Sequence, residues 1–80
     1  MGIFYFHLFF EGELVADDDG SEFVDLSAAR CDAVAASREL LAEAIKRGKE
    51  TIPEAMIIAD ALGRPVETVV LKNLLPASLR

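Results

Sequence analysis

Only one cysteine and one histidine occur among the 80 residues, and Lys and Arg number 8 against 14 Asp and Glu. Each shortage excludes something. Cys31, without a second thiol, can form no intramolecular disulfide and no cysteine-based metal site, which suits a reducing cytoplasm. His7, without a second imidazole or a nearby thiol, leaves no nitrogen-based zinc site. A formal charge of −6 lacks the basic footprint with which proteins neutralise phosphates, and it is repelled by anionic lipid. Nucleic acid and membrane surfaces are therefore not expected partners. Gly12, Gly20 and Gly63 are not spaced as a dinucleotide or phosphate loop. The opening apolar run ends at Glu11-Gly12-Glu13, too short for a membrane span. It also lacks the basic start and small-residue cleavage site of a signal peptide. It reads as a β-strand.

A chain of this length makes one domain, here residues 1–80, with a thin stability margin of about 4–12 kcal/mol. Oligomerising would help such a domain. Residues 3–10 are dense in aromatic and branched side chains, which favour a pleated surface. With a period of two, Phe4, Phe6, Leu8 and Phe10 share one all-apolar face, and Ile3, Tyr5, His7 and Phe9 share the other. The first face is the expected core side, the second the more exposed one. Glu11-Gly12 suits a hairpin turn into a short strand at 13–16. Asp17-Asp18-Asp19-Gly20-Ser21 reads as a second, solvated turn, after which 22–24 can extend.

Asp25 suits the N-cap of a helix over 26–47. At about 100° per residue, Leu26, Ala29, Ala33, Val34, Ser37, Leu40, Leu41, Ala44 and Ile45 fall on one broad face. Asp32, Arg38, Glu39, Glu43, Lys46 and Arg47 lie opposite. Lys46 and Arg47 complement the negative end of the helix dipole, and Gly48 suits the residue after the C-cap. Beyond a connector, 55–60 and 66–71 read as paired strands joined at Asp60-Ala61-Leu62-Gly63-Arg64, with a tail over 72–80. The expected fold is a two-layer α+β sandwich, an antiparallel sheet of about four strands on one long helix in β-β-α-β-β order.

Chemistry is hard to find in these residues. Asp17, Asp18 and Asp19 fail the calcium-loop test, because Val15 and Leu26 fall where oxygen ligands are needed. No nucleophile motif selects Ser21, Ser27 or Ser37 as a partner for His7. Cys31 falls about 140° from Leu26, outside the core stripe, and with no basic residue guaranteed beside it except Arg30 in sequence it reads as an inert thiol. Ala28, Ala35 and Ala42 recur every seven residues on the outward side of the helix, as expected of a strong helix former.

Phe4-Tyr5-Phe6-His7-Leu8, Asp18-Asp19-Gly20-Ser21-Glu22, Asp25-Leu26 with Ala28-Ala29-Arg30, and Asp60 through Gly63-Arg64 recur in order. This pattern resembles a family of short alphaproteobacterial proteins carrying a domain of unknown function, over about residues 3–71. The resemblance implies no activity, cofactor or site residue. Phe9-Phe10-Glu11 is less polar than that pattern. A looser likeness is to the HicB-type antitoxin domain, in which strands run through Asp-Leu into one helix. Here Ser27-Ala28-Ala29 replace its Pro-Gly-Cys element.

One helix covers only one face of a sheet, which leaves Tyr5, His7 and Phe9 to meet another molecule. The sequence thus points to a cytoplasmic, non-enzymatic protein-interaction module without cofactor or metal. Its partner would be another protein or a second copy in a homodimer. The alternative is an antitoxin-like acidic module that neutralises a basic protein.

Overall fold

Strict alternation along the first strand sets the layers. The computed structural model describes residues 2–80. Among them the chain forms β1 (Gly2–Phe10), β2 (Glu13–Val15), β3 (Ser21–Phe23), α1 (Leu26–Lys46), β4 (Ala55–Ala59) and β5 (Pro65–Val70). Two short 3-10 helices, Leu71–Leu74 and Ala77–Leu79, follow. All the pairings are antiparallel, in the order β2-β1-β4-β5, with β3 also paired to β1. The architecture is the expected α+β sandwich. Five strands form, rather than about four, because the extended residues after the acidic turn make their own short ladder with Gly2–Phe4.

β2 and β3 occupy two stretches of a single edge of β1. Leu8–Phe10 pair with β2, Gly2–Phe4 pair with β3, and Phe6 falls between them. The opposite edge of β1 is taken by β4 from Tyr5 to Phe9. β1 is therefore an interior strand, like β4, flanked on both sides although it comes first in the chain.

Helix α1 starts and stops where local chemistry requires. The Asp25 carboxylate accepts the Ala28 N–H at 2.8 Å, satisfying one of the orphan donors of the first turn. At the other end Gly48 adopts φ 66°. This lets its N–H reach the Ile45 carbonyl at 3.1 Å while the Lys49 N–H reaches that of Ala44 at 2.9 Å. That pair of bonds is the Schellman arrangement, and it ends the helix at Lys46.

Ala29, Ala33, Ser37 and Leu41, each four residues apart, form the buried stripe of α1. Their small side chains allow the helix to lie close against the sheet. Met56, Ile58, Val69 and Leu71 meet Ala33 and Leu41 in the core, with Phe4, Phe6 and Leu8 packed around them. Ile45, assigned by periodicity to the buried face, is 64% exposed. Ala44, in the same turn, is buried; Ile45 is turned about 100° from it around the axis, to the margin of the buried stripe. The core is small. Among fully buried side chains the largest are Ile58, Leu71 and Ser37.

Candidate protein-contact face

The register of the sheet fixes what lies on the side away from α1. His7 is opposite Ile57, and Ile57 is opposite Thr68. Phe9 is opposite both Ala55 and Leu14, and Ala55 is opposite Val70. Residues directly opposite one another point to the same side of a sheet. Tyr5, His7 and Phe9 thus share a face with Leu14, Ala55, Ile57, Thr68 and Val70. None of these eight residues is an acid, a lysine or an arginine. Leu14 is 55% exposed and Val70 39%, while Tyr5, His7, Phe9 and Ile57 are half-buried.

At one end of this face the side chains are held in place. The Tyr5 and His7 rings stack, with centroids 6.3 Å apart and planes 11° from parallel. Gly20, at φ 70°, lies tightly against the Tyr5 ring and Ile3. A Cβ there would stand 2.8 Å from Tyr5 Cε2 and 2.9 Å from Ile3 Cγ2, closer than packing allows. Glycine is needed here for both its backbone angle and its lack of a side chain.

His7 is oriented by a backbone group. Its Nδ1 accepts the Asp17 N–H at 3.0 Å, so the neutral ring carries its proton on Nε2. The Asp17 carboxylate turns away to other donors. One oxygen accepts the N–H of Phe6 at 3.0 Å, and the other accepts those of Asp19 at 3.2 Å and Gly20 at 3.3 Å. These bonds hold Asp17 below the ordinary aspartate range. The Phe6 bond contributes most, the Gly20 and Asp19 bonds and the His7 ring add to it, and partial burial opposes it. The acidic turn is therefore not simply solvated. Asp18 and Asp19 are exposed, whereas Asp17 is half-buried and anchors the turn to β1.

Tyr5, His7, Asp17 and Asp18 line an open cleft of about 380 Å³, closed on its far side by Ala61, Leu62 and Gly63. The β4–β5 turn is braced by Asp60, whose Oδ1 accepts the N–H groups of Leu62 and Arg64, both at 2.9 Å. Its Oδ2 accepts Arg64 Nε at 3.1 Å. Both walls of the cleft are thus turns pinned by an aspartate. A second hollow, about 240 Å³, lies on the helix side between Leu8, Phe10, Leu40, Ala44 and Pro53.

The structure brings Tyr5, His7 and Phe9 onto one face and adds Ile57, Val70 and Leu14, which the sequence did not place there, together with Asp17, read from sequence only as part of a solvated turn. The pattern of β4 and β5 offered a signal for Ile57 and Val70, but strand order was needed to place them beside β1. The serines weighed as nucleophiles lie elsewhere. Ser21 faces the helix side opposite Phe4, Ser27 is in the first turn of α1, and Ser37 is buried against Met56. Cys31 is exposed. Among the described residues no three His, Cys, Asp or Glu side chains converge as metal ligands, and no helix is long and apolar enough to cross a membrane.

No curated protein and no solved structure matches the chain. Residues 3–72 match a family described as a domain of unknown function, DUF6894. That span takes in β1, the Asp17 turn, α1 and the β4–β5 hairpin, so the chain belongs to the DUF6894 family.

Proposed function

We propose that this protein is a non-enzymatic interaction module whose working surface is the sheet face bearing Tyr5, His7 and Phe9. The observation that carries this reading is the state of β1. It is an interior strand of the sheet, yet none of its residues from Gly2 to Phe10 is fully buried. A strand flanked on both sides normally has at least one face sealed. Here the helix-side residues are only partly covered, and the other face has no second layer.

The arrangement around His7 supports binding rather than catalysis. A general base needs an orienting acid and a nucleophile within hydrogen-bond reach. The nearest carboxylate, Asp17, is engaged by three backbone N–H groups, and Nδ1 of the ring by a fourth. What the face presents is aromatic and aliphatic area, the composition typical of the centre of a protein contact.

The test is a pull-down from native lysate with immobilised wild type and Thr68→Glu, which places a charge at an exposed position beside Ile57. A protein retained by the wild type and lost by the variant is expected. Equal retention by both would remove the face from the contact.

A further inference from the structure

From the geometry around His7 we infer a pH-sensitive device: the acidic turn is fastened to β1 at two points, and a proton on His7 releases one while the other holds. The device is built into the fold and does not depend on what the sheet face binds. The first fastening is the Asp17 N–H, given to His7 Nδ1 at 3.0 Å. The second is the Asp17 carboxylate, which accepts the Phe6 N–H at 3.0 Å and also ties in Asp19 and Gly20. Asp17 thus holds β1 twice, through its backbone to a side chain that titrates and through its side chain to a backbone that does not.

The first bond exists only with a neutral ring. A protonated imidazole is a donor at both nitrogens and has no lone pair to offer. Two N–H groups would then face one another at 3.0 Å, so the Asp17 N–H must part from the ring. The groups around the ring decide where it goes. On β1 it stacks on Tyr5. The acidic turn brings Asp17 and Asp18 to the shared cleft, and the β4–β5 turn brings Ala61, Leu62 and Gly63, which carry no charge. Asp60 and Arg64, in that same turn, are paired with each other. Ile57 of β4, Thr68 of β5 and Leu14 and Val15 of β2 are uncharged. The cleft is therefore lined by two carboxylates and by no lysine or arginine. An imidazolium is kept beside these carboxylates, where it donates to one of them in place of accepting from the backbone.

The second bond outlasts the first. Backbone donors hold the Asp17 carboxyl below the ordinary aspartate range. It stays ionised between about pH 5 and 8, where histidine side chains ordinarily change charge. Mild acid thus reshapes the Tyr5–His7 end of the face without undoing the edge of β1.

NMR on the whole protein from about pH 8 to about pH 5 follows the two amides separately. As the His7 ring takes up its proton, read from its own nitrogen shifts, the Asp17 amide proton should move upfield. Its exchange protection should fall roughly 2–10-fold, the worth of one hydrogen bond. The Phe6 amide should keep its protection over the same range. His7→Asn carries an oxygen acceptor in the place of Nδ1 and does not titrate, so its Asp17 amide should be indifferent to pH. The wild type alone decides the matter if that variant fails to fold.

An Asp17 amide that does not respond while His7 protonates overturns the device. So does a ring still neutral at about pH 5, or a Phe6 amide released together with that of Asp17. A folded His7→Asn whose Asp17 amide keeps the wild-type response to pH removes His7 from the device and overturns it as well.

Discussion

The Asp17 carboxylate accepts the Phe6 N–H at 3.0 Å, completing the edge of β1 at the one place between β2 and β3 that no strand covers. A side chain takes the part of a strand. This bond, together with those to Asp19 and Gly20, makes Asp17 the residue on which the turn depends. Asp17→Ala leaves the Phe6 donor unpaired and should lower stability by about 2–3 kcal/mol. Asp18→Ala should stay within about 0.5 kcal/mol, as expected of an exposed side chain away from such features. Urea unfolding of the two variants side by side checks the contrast.

Acid should act through the same group. The folded-state pKa of Asp17 lies below the unfolded one. Its contribution is therefore complete above the ordinary aspartate range and is lost as pH falls through the lower, folded value. The Asp60 carboxylate, lowered chiefly by the Arg64 N–H, follows the same sign. The urea midpoint of the wild type should fall steeply below about pH 4, and that of Asp17→Asn less steeply. Equal slopes for the two proteins would show that Asp17 has no part in acid unfolding.

Gly20 and Gly12 both have positive φ, but they differ in surroundings. A Cβ on Gly20 meets Tyr5 and Ile3, and one on Gly12 meets nothing within 4 Å. Gly12→Ala should cost about 1 kcal/mol from backbone strain alone. Gly20→Ala adds a clash and should cost about 2–4 kcal/mol, as overpacking does elsewhere. It should also disturb the Tyr5–His7 stack, visible as shifted ring resonances in NMR spectra. Unshifted Tyr5 and His7 signals would contradict the close packing.

Ser37 is fully buried, and its hydroxyl meets Met56 Sδ at 3.7 Å, a weak acceptor. Removing the hydroxyl gives up little and spares its desolvation. Ser37→Ala should be neutral or stabilising by up to about 1 kcal/mol. A clear drop in melting temperature would mean that the sulfur contact is stronger than sulfur acceptors usually are.

Much of this fold is legible in local sequence. Asp25 and Gly48 bracket α1 because caps act within one turn, and the alternation of Phe4, Phe6, Leu8 and Phe10 marks the helix side of β1 because the pleat has period two. The turn at Asp60–Arg64 follows from side-chain chemistry only four residues wide. What could not be read depends on distant neighbours. Asp17 looks like its neighbours Asp18 and Asp19 until β2 and β3 are known to share an edge of β1 with a gap at Phe6. Ile45 looks buried until the packed stripe is known to be centred on Ala33, Ser37 and Ala44, which leaves Ile45 at its margin. Of the outer sheet face, Tyr5, His7 and Phe9 follow from one strand, but Ile57 and Val70 require the strand order.

The divided edge of β1 also bears on how far association can run. An uninterrupted outer strand offers a template to which further chains can add without limit. Here that side is broken at Asp17 into two ladders of three residues each, with charged side chains at the break. On the opposite side, β5 begins with Pro65, which has no N–H to offer. Growth along the sheet is discouraged at both margins. Strand-by-strand addition into a fibre is therefore disfavoured at either edge.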